Sequence, residues 1–270
     1  MGGYTVKRLA WCTDIHLNFL DEHGIEAFCR DVTGHEPDGV VITGDISDST
    51  RLARHLGLLE KYLARPIYFV LGNHDFYGGS IEVVRDQVRT LSALSKHLVW
   101  LPAAGVVALS RTTALVGHDG WADGRLGDWA GSDVMLNDYV HIAELAGLGK
   151  SARLERLRQL ADQAAGYLRS ILPAALERHP RVLVVTHVPP FEAACWHSGR
   201  TSDEHWLPHF SSHAMGNALA EAMIERPDRQ MVVLCGHTHG GGTARILPNL
   251  TVHTGGAEYG APSVQQILET

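Results

Sequence analysis

The sequence predicts an α/β fold with parallel strand pairing, and two observations carry that expectation. Apolar, β-branched runs of strand length alternate with amphipathic helical runs through the first hundred residues. Five of the apolar runs along the chain stop abruptly at Gly, Asp or His. In α/β sheets, ligands gather outside the carboxyl ends of the strands, so these stops mark where chemistry belongs.

Residues 7–13 read as the first strand, ending at Asp14. A helix follows over 24–32, with Ile25, Phe28 and Val32 on one face. Asp38-Gly39 turns the chain into Val40-Val41-Ile42-Thr43, a run with the length and branching of a buried strand, and Gly44-Asp45 ends it. Leucines at helical spacing predict a helix over 52–64, stopped by Pro66. Residues 67–71 form the next strand, closed by Gly72. A helix over 81–96 precedes three short strands at 99–101, 105–109 and 113–116, which open a second or mixed sheet. Residues 119–149 are rich in Gly, Asp and Trp, lack a period, and read as a long insertion with some helix.

Leu154, Leu157, Leu160, Ala164 and Leu168 share one side of a long helix over 151–178, which Pro173 is expected to kink or end. A strand over 181–186 stops at His187, and residues 190–213 read as a loop rich in His and Trp. A helix over 215–225, a strand over 231–235, and strands near 243–247 and 250–254 complete the chain. No repeat or linker divides the 270 residues. One domain, 1–270, with insertions near 119–149 and 190–213, is the expectation.

Five short blocks carry the chemistry: Asp14-Ile15-His16, Gly44-Asp45, Gly72-Asn73-His74-Asp75, His187 before Val188-Pro189-Pro190, and Gly236-His237-Thr238-His239. They supply carboxylates, an amide oxygen and imidazoles, a donor set that suits divalent transition metals. The donors suffice for two ions, and a two-metal site clamps both the attacking and the leaving oxygen of a phosphoester displacement. Asp45 is the candidate bridge, because a carboxylate can turn one oxygen to each ion. Asp14 and His16, two apart in an extended segment, point the same way and can chelate one ion. Asn73 offers a neutral oxygen that limits negative charge at the second. His237 and His239 share the two-residue spacing and can each reach a different ion.

The ordered set Asp-x-His, Gly-Asp, Gly-Asn-His-Asp, His, Gly-His-x-His resembles the calcineurin-like metallophosphoesterase superfamily, with every motif position filled across residues 14–239. The resemblance implies a four-layer αββα sandwich of two mixed β-sheets flanked by helices. It implies one metal held by Asp14, His16, Asp45 and His239, and a second held by Asp45, Asn73, His187 and His237. The ions would be divalent or trivalent transition metals, Mn, Fe or Zn, with attack by a hydroxide bridging them. His74 would contact the phosphate and protonate the leaving group, with Asp75 orienting it. Gly44 to Thr50 lacks the Arg-Gly extension typical of the protein Ser/Thr phosphatases, which also usually carry Glu where this chain has Asp75. The 13–17 and 186–190 segments look closer to small bacterial phosphodiesterases of the cyclic-nucleotide type. That type usually has two His before its prolines, where this chain has Thr186 and His187 with an added Val188.

Some residues outside the motifs invite a role. His118-Asp119-Gly120-Trp121 is more simply an Asp-Gly turn with a packing Trp than a pocket wall. His205, His209 and His213 have helical spacing, but Pro208 argues against one regular helix carrying a third metal stripe. Arg125 and Arg200 are placed to clamp phosphate only if their insertions fold over the site, and surface arginines are common. The two insertions are expected to wall the pocket, with Trp121, Trp129, Trp196, Trp206, His197, His205 and His209 as candidate ring faces. Rings suit a base or aryl group, which favours a small phosphodiester over a monoester or an extended polymer.

Composition limits the alternatives. Hydrophobic residues make up 45% and charged residues 20%, with a formal net charge of −7. That balance is ordinary for a globular protein and speaks against a partner as large and anionic as a nucleic acid polymer. The 17 histidines are the one compositional excess. Cys12, Cys29, Cys195 and Cys235 show no CxxC spacing, which suggests reduced thiols and a cytoplasmic setting. Met1 to Val6 leads directly into the first strand with no room for a signal peptide and without a myristoylation pattern. No apolar run is long enough to span a membrane. A non-catalytic scaffold is the reading from a different class, and such relatives tend to lose ligands that are all present here.

Overall fold

A computed structural model describes residues 8–270; the expectations resting on residues 1–7, the start of the first strand included, lie outside it. Strands β1 (Arg8–Cys12), β2 (Gly39–Thr43), β3 (Ile67–Val70) and β4 (Leu98–Trp100) pair in parallel in that order. Helices α1 (Glu22–Gly34), α2 (Leu52–Leu63) and α3 (Ile81–Leu94) connect them. A short helical turn, α4 (Leu101–Ala104), leads to β5 (Val107–Ala108) and β6 (Thr113–Gly117). The insertion then contributes α5 (Asp138–His141), followed by the long α6 (Lys150–Arg178) and β7 (Arg181–Val185).

The second insertion holds a two-stranded hairpin of β8 (Trp196–His197) and β9 (Arg200–Thr201), then α7 (Leu207–Phe210) and α8 (His213–Ile224). Strands β10 (Gln230–Cys235), β11 (Gly242–Leu247), β12 (Leu250–Thr254) and β13 (Val264–Glu269) complete the chain. The first sheet has the order β13-β1-β2-β3-β4, with β13 antiparallel to β1. The second has the order β11-β12-β10-β7-β6-β5, parallel in its middle four strands and antiparallel at both edges.

Alternate residues of each strand face opposite layers. Leu9, Trp11, Val41, Tyr68 and Val70 of the first sheet meet Leu115, Leu183, Val185 and Leu234 of the second, forming the layer between the sheets. Their neighbours Ala10, Cys12, Val40, Ile42, Ile67 and Phe69 point outward into the core made with α1, α2 and α3. Val116, Val182 and Val184 do the same with α6 and α8. The result is the four-layer αββα sandwich. Strands covered on both faces explain why β2 and β6 are buried along their whole length and show no polar alternation.

Several expectations are corrected. The 99–101 strand ends at Trp100, and Leu101 starts a helical turn with Pro102 in a first-turn position that needs no N–H. The 105–109 strand shrinks to two residues. Helix α6 runs through Pro173 to Arg178, with buried Leu172, Ala175 and Leu176 on both sides of the proline holding the helix to the core. Strand β13 was not foreseen, because Gln265 and Gln266 on an edge strand mask its period. All four cysteines are free and buried. Among the described residues, no helix is long and apolar enough to cross a membrane.

Leu183 is fully buried between the sheets. Leu183→Ala should cost about 2–5 kcal/mol of stability through lost contacts and a cavity. Urea unfolding reads this as a lower midpoint; an unchanged midpoint would contradict the placement of this layer.

Candidate metal centre

Five parallel strands drawn from both sheets end at one place. Asp14 follows β1, Asp45 follows β2, Asn73 follows β3, His187 follows β7 and His237 follows β10. Their loops interlock: Asp14 N donates to Gly44 O at 3.1 Å, His16 N to Asp45 O at 2.9 Å, and Gly236 N to His187 O at 2.9 Å. Asp14, His16, Asp45, His237 and His239 all have positive φ, between 40° and 72°. Non-glycine residues in that region typically store backbone strain, and such strain persists only where the surroundings over-determine it. The left-handed turns swing these side chains from the strand direction into the gap between the sheets.

Glycine is required at two of the turns. A Cβ at Gly72 would sit 2.1 Å from Asp45 Oδ1, and one at Gly236 would sit 2.0 Å from Asp14 Oδ2. The motif glycines therefore serve close approach of backbone to carboxylate.

The donors fall into two groups that meet at Asp45. The ligand atoms of Asp14, His16, Asp45 and His239 all lie within 4.8 Å of one another. Within this group His16 Nε2 lies 3.1 Å from His239 Nε2, and His239 Nε2 lies 3.5 Å from Asp14 Oδ1. In the other group, Asn73 Oδ1 is 2.9 Å from both His187 Nε2 and His237 Nδ1, which are 3.2 Å apart. Asp45 spans the two: its Oδ2 is 3.7 Å from His16 Nε2, and its Oδ1 is 3.4 Å from His187 Nε2.

Outer contacts aim these atoms. His187 Nδ1 lies 2.8 Å from the Thr43 carbonyl, so Nδ1 carries the proton and the Nε2 lone pair faces the cluster. His237 Nε2 lies 3.4 Å from the His209 carbonyl, which leaves Nδ1 as its inward atom. The Asn73 amide donates to Asp138 Oδ1 at 2.7 Å and to Tyr77 Oη at 3.2 Å, so its oxygen points at the histidines. Tyr77 Oη donates to the same Asp138 oxygen at 2.6 Å. Asp138, only 4% exposed, was missed by sequence reasoning because its insertion has no period and many Asp and Gly.

The electrostatics call for cations. Burial, with the carboxylates of Asp14 and Asp75 nearby, pushes the Asp45 carboxyl well above its usual range. Burial pushes Asp14 up as well, but contacts with His239, His187 and Thr13 outweigh it and leave Asp14 low. Burial also drives His16 down to about 3 and His74 to about 4, and His187 and His237 fall below their usual value for the same cause. Neutral imidazoles with converging lone pairs beside two buried carboxylates form a set whose mutual repulsion a positive ion relieves. His16 Nδ1 is buried with no hydrogen-bond partner. The donor chemistry thus fits a pair of metal ions.

His74 lies at the edge of this cluster, its ring stacked on Tyr77 at 4.3 Å and its Nε2 3.9 Å from Asp45 Oδ2. Its backbone N–H donates to Asp45 Oδ1 at 2.9 Å. Asp75 differs from the orienting role expected of it. Its carboxylate accepts from Ile46 N, Ser47 N and Gly72 N at 2.7–2.9 Å, and no hydrogen bond joins it to the His74 imidazole among the described residues. Burial pushes Asp75 up to about 7, against those three donors. Its place is to tie the Asp45 loop to the Asn73 loop. Asp119 ties in the other sheet, accepting from Leu71 N, Trp100 Nε1 and Arg85 Nε at 2.8–3.1 Å while its carbonyl receives His187 N.

The open side is a cleft of about 230 Å³ lined in part by His74, Tyr77, Leu136, His197, Phe210 and Tyr259. The two insertions contribute as expected, through the expected His197 and through Leu136 and Phe210, which were not singled out. Trp121 and Trp129 are buried, with Trp121 packed on Phe76, so neither walls the cleft. His118 is buried too, its Nδ1 accepting from Gly120 N. Arg125 pairs with Asp123 and Asp162 away from the cleft, and Arg200 lies exposed in the hairpin. His205, His209 and His213 form no stripe: His209 is buried between Tyr139 Oη and Ser132 Oγ, and His213 opens a separate helix. Tyr259 lies beyond the last motif, where no sequence signal pointed to the site.

The profile of the calcineurin-like phosphoesterases matches residues 7–241. This chain belongs to that family. It is a metal-dependent hydrolase of the phosphoesterase class, a class whose members typically bind two divalent metals. A comparison with curated proteins found no match. Its fold is similar to that of the phosphopantetheinyl hydrolase of Mycobacterium tuberculosis, at 16% identity and a TM-score of 0.66, over 94% of this chain and 91% of that one. A dimetal phosphatase from Danio rerio matches at 15% identity and 0.59, over 93% and 88%. An anchor of the inner membrane complex of Plasmodium matches at 14% and 0.50, over 93% and 71%. Such identities carry the fold and leave substrate to be argued from the site.

If Asp138 aims the Asn73 oxygen, Asp138→Ala should weaken metal retention by about 10–100-fold, the usual effect of losing an outer-contact partner. Metal titration calorimetry measures it. Wild-type affinity in a folded Asp138→Ala variant would remove Asp138 from the site.

Proposed function

We propose that this protein is a dinuclear metal-dependent hydrolase of small phosphodiesters, working in the cytoplasm on a small-molecule substrate. Asp14, His16, Asp45 and His239 hold one ion; Asp45, Asn73, His187 and His237 hold the other. The single observation behind this assignment is the position of Asp45, with one oxygen toward each group of donors. Bound metals would supply Lewis acidity and a water acidic enough to attack phosphorus near neutral pH; Mn, Fe and Zn all suit this donor set.

The chain's own residues do the rest. His74 lines the cleft and would hold a phosphate oxygen through Nε2–H. As the acid for the departing alcohol it would act from its protonated form, which a bound anionic phosphoester favours against the burial that lowers it. Tyr77 stacks on its ring and fixes its plane. Asp75, through three backbone N–H groups, keeps the Asp45 and Asn73 loops in register. The buried floor excludes bulk water on the protein side.

Preference for diesters rests on charge. Among the described residues, those lining the cleft include no Lys or Arg. A phosphomonoester carries about −1.5 to −2 charge at neutral pH, and sites for such groups usually add cationic side chains. A diester carries a single charge and two organic arms, which the ring-lined walls suit better. A phosphatase acting on monoesters with the same centre is the alternative. Cyclic-nucleotide specificity is the narrower form of the diester reading, motivated by the 13–17 motif.

A hydrolysis panel on Mn²⁺-loaded protein decides between these: aryl phosphodiesters, 3′,5′-cyclic nucleotides, a phosphopantetheinyl ester and aryl monoesters. The expected result is higher kcat/KM on diesters, abolished by chelation and restored by Mn²⁺. Higher kcat/KM on monoesters would overturn the preference, and activity surviving thorough chelation would overturn the metal mechanism. His74→Ala should keep its metal content while the rate drops by roughly 10²–10⁴, and the drop should shrink for good leaving groups. Loss of bound metal in that variant would make His74 a ligand.

A further inference from the structure

Three aromatic side chains are strongly exposed among the described residues: Phe19 at 54%, Trp206 at 43% and Tyr259 at 49%. They come from three distant parts of the chain; Tyr259 lines the cleft, and Phe19 and Trp206 each pack on a ring that lines it. Tyr259 packs its ring against His16 and His239 at 4.6 and 5.0 Å, and Phe19 packs on Tyr259 at 4.8 Å. Phe210 packs edge-on against His237 at 5.0 Å, and Trp206 stacks on Phe210 at 5.3 Å with planes 8° apart. One ring pair thus stands beside the His16–His239 donors, and the other beside the His237 donor. Both Tyr259 and Phe210 line the cleft itself.

Exposed rings cost solvation unless something covers them, and clustered exposed apolar groups mark binding surfaces. A phosphodiester held at the donor cluster sends one arm to each side of phosphorus. Resting on the diester reading above, we infer that the substrate is a linear phosphodiester bearing a flat unsaturated ring on both arms, as a dinucleotide does. Tyr259, backed by Phe19, receives one ring; Phe210, backed by Trp206, receives the other. The absence of Lys and Arg from the cleft lining among the described residues fits arms that carry no further phosphate at the rings. A ring on a single arm would leave one of the two exposed pairs uncovered.

The test uses the full chain loaded with Mn²⁺ and three substrates sharing one leaving group: phenyl, cyclohexyl and methyl 4-nitrophenyl phosphate. Stacking on aromatic side chains should give the phenyl ester a kcat/KM about tenfold above the cyclohexyl ester, carried by KM. Tyr259→Leu and Trp206→Leu alter exposed residues, and circular dichroism checks that both fold. One variant should erase the phenyl preference. The other, acting on the leaving arm, should raise KM for all three esters alike. Equal kcat/KM for phenyl and cyclohexyl esters in the wild type, or a preference surviving in both variants, would overturn the inference while the diesterase reading stands. Turnover of 4-nitrophenyl phosphate with none of the three diesters would overturn both.

Discussion

The constraint on which the structure depends is the burial of Asp45 between two sets of donors. A carboxylate taken out of water with Asp14 and Asp75 nearby is costly, and burial alone pushes its proton affinity up. The surrounding imidazoles cannot relieve this, because burial keeps them neutral as well. Positive charge on each side of the carboxylate would relieve it. The remaining features of the site follow from holding two acids and several bases where folding by itself would not place them.

Holding them there is the work of the two sheets. Five parallel strands end at one level, and left-handed turns after them redirect the side chains inward. Those turns store strain, so each is tied to another loop: the Asp14 turn to Gly44, the Asp45 loop to Asn73 through Asp75, and β3 to His187 through Asp119. The ties cross from one sheet to the other at Asp119 and at His237, whose N–H donates to Asp14. A rigid centre of this kind leaves selectivity to the insertions and to the loop after β12, which bring Leu136, Phe210 and Tyr259 to the open side.

Much of this was legible in the sequence, and the reason is physical. Buried parallel strands must be apolar on both faces, so β1, β2, β3, β7 and β10 stand out. Residues that end them in Gly, Asp, Asn or His interrupt the run where polarity is otherwise excluded. Donors such as Asp14 and His237 were visible for that reason, although 223 positions separate them. Asp138, Tyr77 and Tyr259 were not visible, since their roles come from what they touch in space and their neighbours follow no period. Trp121 divides the two readings made of it: the simpler one, a packing Trp after an Asp-Gly turn, holds, since it packs on Phe76 in the core, and its place among the candidate ring faces of the pocket does not. The Asp75 role expected from family resemblance also shifted, because its three backbone partners are determined by loop geometry and carry no mark in residue type.

Anomalous diffraction from crystals grown with Mn²⁺, recorded at the manganese edge, tests the central claim most directly. Two peaks with one Asp45 oxygen on each, Asp14, His16 and His239 around the first and Asn73, His187 and His237 around the second, are the predicted result. A single peak, or both Asp45 oxygens on one ion, would contradict the account.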